Sequence, residues 1–555
     1  MTLNVRVLEP AAPAVYDEAD IGHINGAFGT ILQGDVAPRK TWKHRLTTLL
    51  AILGPGLIVM VGDNDAGAFA TYGQAGQNYG TTLLWTLALL IPVLYVNQEM
   101  VLRLGAVTGV GHARLIFERF GKFWGLFSVI DLLLLNALTI VTEFIGISLA
   151  LDYLGLNKTS GVVVAAALIM LAASTGDFRR FERFAMALVF ASLLLIPIYL
   201  VVHPPLAQVV HDFLVPQMPP GAKLSDVLLL VIGIVGTTVA PWQLFFQQSY
   251  VIDKRITPRF IRYERLDLWI GIGLVTVGAA AIMAFSAATF AGQPEFGNFT
   301  DAGGIAAGIG KHVGKAAGAM FAIALIDASL IGASAVSLST AYAIGDVFSA
   351  RHSLHRKVVD AKSFYGVYFL LVALAAAVVL VPGSPLGLLT LAVQVLAGVL
   401  LPSATVFLLL LCNDKPVLGP WVNPRWLNYF TGAVIAALVV LSIVLTASVL
   451  FPQATDENLI LAILVGGALL AAIVALIVAA LNRGFKLVAE KTEGEDLADC
   501  GASTRSAWRM PPLERLAPAK LSLAAKTWMA ILRVYLVVAV GLVLFRIVMI
   551  AVGGS

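Results

Sequence analysis

Residues 54–80 read GPGLIVMVGDNDAGAFATYGQAGQNYG, an apolar run long enough to enter a bilayer with acid at its middle. Asp63, Asn64 and Asp65 fall mid-span and are followed by Ala66, Gly67 and Ala68. A carboxylate near a bilayer centre costs at least about 2.5 kcal/mol on insertion scales, and such groups persist where they face a cavity, a partner or a cation. Glycines at 54, 56, 62, 67, 73 and 76 weaken helical continuity around them. A broken membrane helix carrying acidic oxygens at its break is a candidate cation site.

The rest of the chain fits that setting. Of 555 residues, 59% are hydrophobic and only 13% charged, the balance of a polytopic membrane protein. The net charge of +4 is too small to suggest nucleic acid. Cys412 and Cys500 are far apart in dissimilar contexts and support neither a disulfide framework nor a zinc site. Apolar runs of spanning length recur about thirteen times, at 46–76, 80–104, 124–153, 159–177, 184–204, 224–250, 266–292, 316–346, 363–382, 386–412, 426–450, 458–482 and 524–552. They are far longer than barrel strands, so the expected fold is an all-α polytopic membrane bundle. The expected organisation is a cytoplasmic N-terminal segment over 1–45 and a transporter core over 46–412. Accessory helices over 413–482, a charged linker over 483–522 and a last membrane helix over 523–555 follow. Residues 1–43 contain no apolar signal core, so span one is expected to direct insertion.

Basic residues give an orientation. Lys and Arg cluster before span one (Arg39, Lys40, Lys43, Arg45) and in the loops after spans two, four, six and eight, for example Arg179, Arg180 and Arg183. The alternate loops 205–222 and 293–310 are nearly free of them. The expected N-terminus is therefore cytoplasmic, in a plasma or inner membrane.

Span six is interrupted like span one. It carries Gly233, then Gly236-Thr237-Thr238-Val239-Ala240-Pro241-Trp242-Gln243. Proline removes a backbone donor and clashes one turn back, so the helix is expected to unwind over 236–242. Two broken helices five spans apart point to an inverted repeat of two five-helix halves, 46–204 and 224–412, with the site at the midplane between the breaks.

These residues resemble the natural-resistance-associated macrophage protein (Nramp) family of divalent metal transporters, whose members share the LeuT-like arrangement. The family's GPG, helix-one break and QAG-x-x-YG are matched at 54–56, 63–68 and 74–80. The resemblance puts Asp65 at the family's metal-binding aspartate, but Ala66 and Ala68 stand where its motif has Pro and Asn. In span six, Ala240 stands at the metal-binding methionine, Trp242 at a histidine, and Thr237 where a backbone carbonyl binds metal. Gln394 and Pro402 match a helix-ten pattern whose Gln lines the site. Glu143 in Thr-Glu-x-Ile-Gly matches a proton-pathway glutamate, whereas Ile140 and Gln247 replace two titratable members of that pathway. The GTTVAPWQLFFQQS run also looks like the Nramp-related magnesium transporter branch, although that branch's helix-one motif differs from DNDAG.

Without the methionine, the donors are hard oxygens: Asp65 and Asp63 carboxylates, Asn64 and Gln394 amides, and the carbonyls near Thr237 and Ala240. A roomy all-oxygen pocket suits Mg²⁺, which keeps several waters, and Mn²⁺ accepts the same ligands. Asp63 and Asn64 have a second reading, as half-helix caps or vestibule residues, and Gln394 has one as an interhelical hydrogen-bond partner. The transported ion is a substrate, and no cofactor is expected. The expected partners are divalent metal ions and the lipid bilayer. A carrier of amino acids or other organic solutes is the alternative on the same bundle, but Asp63 and Asp65 would repel a substrate carboxylate. No His-rich cluster, Gly-x-Ser-x-Gly elbow or phosphate loop suggests an enzyme. The broken proton route favours uncoupled or weakly coupled uptake.

Overall fold

The computed structural model of the protein describes residues 18–35, 37–381, 386–450 and 456–489, with 505, 508–519, 529, 533, 537 and 541 beyond them. The thirteenth expected span and most of the expected linker lie outside the described residues.

Helical structure starts at Thr41, whose side chain accepts from the backbone N–H of His44 and caps α1 (Trp42–Ile52). The chain then turns by 51° into α2 (Pro55–Val61). Gly54 makes this corner at φ 154°, a conformation that excludes a side chain, and a Cβ there would also meet Lys254 Nζ at 2.9 Å. Together α1 and α2 are long and apolar enough to count as one bent span, with Gly54 at the bend and Lys43, His44 and Arg45 exposed on α1. It resumes after a four-residue break as α3 (Ala66–Tyr79).

The remaining helices are α4 (Trp85–Thr108), α5 (His112–Phe120), α6 (Lys122–Tyr153), α7 (Lys158–Ala173), and α8 (Phe178–Ala191), which runs through one 3-10 turn into α9 (Leu195–Val202). Then come α10 (Leu206–Leu214), α11 (Leu224–Thr238), α12 (Pro241–Asp253), α13 (Ile261–Phe290), α14 (Ala302–His312), α15 (Lys315–Phe348), α16 (Lys362–Val379) and α17 (Leu386–Cys412). The described series ends with α18 (Lys415–Leu418), α19 (Arg425–Leu450) and α20 (Glu457–Ala489). Among the described residues, ten helices are long and apolar enough to cross a membrane. Span one, divided at its break, and the 16-residue α7 supply the other two expected before residue 490.

Packing shows the repeat. Span one (α2 and α3) lies on α13, the seventh span, and span six (α11 and α12) lies on α4, the second. The third and eighth spans, α6 and α15, lie on each other. Likewise α2 meets α8, the fifth span, and α11 meets α17, the tenth. Exchanging one with six, two with seven, three with eight and five with ten leaves this pattern unchanged, as two inverted five-helix units require.

One element is absent from the sequence reading. Residues β1 (Ile24–Gly26) and β2 (Gly29–Ile31) form an antiparallel hairpin with Gly26 opposite Gly29. It packs on α1 so closely that a Cβ on Gly26 would run into the Ala51 carbonyl. Three-residue strands carry too little alternation to be read from sequence.

Candidate metal site

The break in span one is a turn and not a loose loop. Gly62 ends α2, and the N–H groups of Asp63 and Asn64 reach back to the carbonyls of Met60 (3.2 Å) and Val61 (3.1 Å). Asp65 then opens α3, with its Oδ1 accepting the Ala68 N–H at 2.9 Å. An N-cap carboxylate satisfies one helix-end donor and is favoured by the helix dipole. All three polar residues are buried. Among the described residues none of them pairs with a Lys or Arg.

Asp65 gathers two of the expected partners. Glu143, on α6, accepts the Ala66 N–H through Oε2 at 3.1 Å. Its carboxyl also lies beside the side chain of Asp65. Gly332 of α15 makes room for both: a Cβ there would fall 2.9 Å from Glu143 Cδ and 3.0 Å from Asp65 Cβ. Gln394 enters from α17 over Gly67, where a Cβ would collide with the amide and lie 3.1 Å from Asp65 Oδ1. The same stretch of α17 meets span six, since a Cβ on Gly236 would run into the Gln394 carbonyl and the backbone of Gly398. Gln394 thus bridges the two broken helices.

Asp63 and Asn64 go elsewhere. Asp63 Oδ1 accepts from Gln243 Nε2 in the first turn of α12. Gln243 Oε1 accepts from Gln98 Nε2 of α4 at 2.8 Å. The carboxylate can only accept when ionised, so it fixes the direction of both amides. Asn64 turns to α13, where its Nδ2 donates to the Val275 carbonyl at 3.1 Å beside Gly278. Its amide is not grouped with Asp65, because consecutive residues of a tight turn point to different faces.

Span six breaks more narrowly than expected. The helix persists through Thr238, only Val239 and Ala240 leave it, and Pro241 restarts it. Proline is well suited to a first helical position, which confines the unwinding. Pro241 also lacks the N–H that would bond the carbonyl four residues back, that of Thr237. Ala240 is buried, and its carbonyl accepts the Gln243 N–H at 3.2 Å. Tyr72 of α3 and Thr238 of α11 join hydroxyls at 2.7 Å. Trp242 is buried, with its ring 3.7 Å from the position of a Cβ on Gly62.

Several buried polar atoms around the two breaks have no partner: Asp63 Oδ2, Asn64 Oδ1, Glu143 Oε1, Thr237 Oγ1 and Gln394 Nε2. Each such atom costs about 1–3 kcal/mol if left so, which makes their concentration here unusual. Gln247, on α12, is buried with both ends of its amide unpartnered. Sequence reasoning missed the Gln98 and Gln243 connection, for which only their polarity inside apolar spans was a signal. Among the described residues, no three His, Cys, Asp or Glu side chains converge as a ready metal cluster. The donor set instead mixes single carboxylates with amides, a hydroxyl and backbone carbonyls.

Residues 56–448 match the family model described as natural resistance-associated macrophage protein-like. The chain belongs to the Nramp family. It is 29% identical over 459 residues to the divalent metal cation transporter MntH of Xylella fastidiosa, covering 80% of this chain and 92% of that protein. To MntH 1 of Pseudomonas aeruginosa it is 30% identical over 408 residues, covering 69% and 88%. A crystal structure of the Eremococcus coleocola manganese transporter superposes with a TM-score of 0.61 at 21% identity, covering 82% of this chain and 97% of that one. The shared fold is the inverted five-helix repeat. These relatives are named as transporters and not as enzymes, and the chain is an integral membrane protein.

Proposed function

We propose that this Nramp family member carries divalent metal cations across the membrane by alternating access, with the ion held between the breaks of spans one and six. The observation that carries this reading is the set of unpartnered buried oxygens and amides on α6, α11, α17 and the span-one turn. Asp65 is the principal ligand, with Gln394, the Thr237 and Ala240 carbonyls and the Asp63 carboxylate as further donors, while Asn64, turned to α13, stands apart. With no thioether at Ala240, every donor is a hard oxygen or an amide, which favours Mg²⁺ and Mn²⁺ over softer ions. The alanines at 66, 68 and 240 leave room for retained waters. We further propose a plasma or inner membrane location, with the basic loops and the N-terminus cytoplasmic. Labelling of a cysteine placed at Lys40 from the outside of intact cells would overturn that orientation.

Coupling follows from the Asp65 and Glu143 contact. Metal binding at Asp65 displaces a proton, and Glu143, whose carboxyl lies beside Asp65, receives it. Beyond Glu143 the route meets Ile140 and Gln247, neither of which titrates. Uptake is therefore weakly coupled to protons and driven by membrane potential, which supplies about 2.3 kcal/mol per unit charge per 100 mV.

Reconstitution into proteoliposomes tests the whole reading. Saturable Mn²⁺ entry, competed by Mg²⁺ and abolished by Asp65→Ala, is expected without matching acidification of the lumen. Uptake that survives Asp65→Ala places the site elsewhere. Mn²⁺ entry indifferent to Mg²⁺ removes magnesium from the substrates.

A further inference from the structure

The end of the bundle that carries the Lys- and Arg-rich loops presents a surface with no part in the metal site. Four arginines hold the N-terminal segment there. Arg179 donates to the carbonyls of Gly26 (3.0 Å) and Gly29 (3.1 Å), and Arg183 to that of Ala27 (3.1 Å). Arg255 donates to Ala19 (2.6 Å) and His23 (3.0 Å), and Arg259 to Ala37 (2.8 Å). Every one of these acceptors is an uncharged carbonyl. Three nearby carboxylates are already engaged: Asp35 with Arg39 at 2.7 Å, Asp177 with Arg180 at 3.4 Å, and Glu182 with Lys254 at 2.7 Å. Among the described residues, Lys40, Lys43, Arg45 and Arg183 form no ion pair.

The adjoining α1 has the pattern of a helix lying in a membrane interface. At about 100° per residue, Trp42, Leu46, Leu49 and Leu50 fall on one face. Thr48, Ala51 and Ile52 form the opposite, protein-facing side and are buried. Lys43 and Arg45 fall at the two edges of the apolar face. Trp42 is 74% exposed, and Leu32 on the hairpin side is 62% exposed. Phe28, at the hairpin tip, sets its ring edge-on to Phe190 at 6.2 Å. Phe190 is 57% exposed on α8, part of a span whose surface is mostly uncovered by protein. The hairpin tip thus lies against a helix where lipid must be. Apolar side chains at this level, flanked by unneutralised cations, match the boundary between acyl chains and phosphates.

We infer that α1 and the 24–31 hairpin form a binding surface for anionic phospholipid. Trp42 and Leu46 sit in the acyl boundary, and Lys40, Lys43 and Arg45 contact headgroup phosphates. A zwitterionic lipid satisfies the apolar face but not the charge. Each basic residue near an anionic surface raises affinity about fivefold, so neutralising these three lowers it on the order of 100-fold.

The test uses the full chain in nanodiscs of phosphatidylcholine with a minority of phosphatidylglycerol. One or the other lipid is brominated, and the fluorescence of Trp42 is read as the difference between wild type and Trp42→Phe. Brominated phosphatidylglycerol is expected to quench the Trp42 signal out of proportion to its abundance. That enrichment should vanish in the triple variant Lys40→Gln, Lys43→Gln, Arg45→Gln, at unchanged melting temperature, and should persist in millimolar inorganic phosphate. Quenching in proportion to abundance overturns the inference, as does enrichment that survives the triple variant. Loss of enrichment on adding phosphate reassigns the surface to soluble anions and overturns it too. The readout needs no transport, so its failure leaves the metal reading untouched.

Discussion

Replacing Lys254 with methionine removes the one cation in a dry part of the protein. The Lys254 side chain is fully buried, and Nζ donates to the Ile52 carbonyl (2.6 Å), the Leu53 carbonyl (2.8 Å) and Glu182 Oε1 (2.7 Å). It therefore ties the end of α1 to α8, at the corner from which α2 departs. Methionine keeps most of the volume and none of the charge. Glu182 would retain only the Ala27 N–H, at 2.5 Å. Removing one partner of a buried ion pair costs about 3–5 kcal/mol, mainly because the other charge is left stranded, whereas replacing both partners by neutral groups is far milder. Lys254→Met alone is expected to destabilise the protein by that amount. Adding Glu182→Gln to it should recover part of the loss, since Lys254 also faces the buried carboxylates of Glu264 and Asp267. Denaturation in mixed detergent micelles, followed by helical circular dichroism across the two single variants and the double, measures the coupling directly. A Lys254→Met protein within about 1 kcal/mol of wild type refutes the reasoning. So does a double variant whose cost equals the sum of the singles.

Three further outcomes are expected. Gly67→Ala puts a methyl group into the Gln394 amide, so Gln394 must leave Asp65; losing one strong ligand contact raises the apparent KM for Mn²⁺ about tenfold, and an unchanged KM would remove Gln394 from the site. Ala240→Met supplies a soft thioether at the wall of the pocket, and competition assays should show Cd²⁺ gaining on Mg²⁺ several-fold. His352 offers a pH test outside the spans. Burial lowers its pKa, but Asp346 at 3.1 Å and the Ala350 carbonyl at 2.6 Å outweigh burial and hold it up at about 9. A pKa raised above the unfolded value of about 6.5 gives stability that is complete below that pH and is lost as pH rises through about 9. Melting temperature should fall across this window in wild type and stay flatter in His352→Gln.

What the sequence made legible follows from what each signal depends on. Span positions depend on local hydropathy alone, and twelve of the expected spans have a helix at or near their place. The break at Asp65 was legible because an acid in an apolar run has few explanations and its distances to GPG and QAG are fixed. The directions of Asp63 and Asn64 were not, since a tight turn has no periodicity from which to read a face. The bend at Gly54 was not legible, because apolar residues of α1 continue the hydropathy of α2 and only the backbone of Gly54 separates them. Lys254 and Glu182 are separated by 72 residues, and nothing in either's neighbourhood announces the other. The hairpin depends on arginines more than 140 residues away, and its own strands are too short to signal.

Span one is held by different kinds of contact at its two ends. At the basic end, Asp267 of α13 accepts the N–H groups of Gly54 (3.3 Å) and Gly56 (2.7 Å) at the start of α2, and Lys254 holds the two carbonyls just before it. Toward the other end, α3 joins α11 through the Tyr72 and Thr238 hydroxyls, and its last turn holds the 293–299 loop through Gln77 and Asn78. Hydrogen bonds to charged groups contribute about 1.5–3 kcal/mol each and neutral ones about 0.5–1.5. The contacts of span one at the basic end are therefore charge-assisted, and on the proposed alternating access that side opens only when α2 leaves Asp267. Since α2 ends at Gly62, next to Asp63, the first residue of the site to feel that departure is the one tethered through Gln243 and Gln98 to α12 and α4. Asp65, bonded instead into α3 and α6, stays with the opposite half. The two carboxylates of the DNDAG break are thus bonded to different helices, and on the proposed alternating access their separation would release the ion.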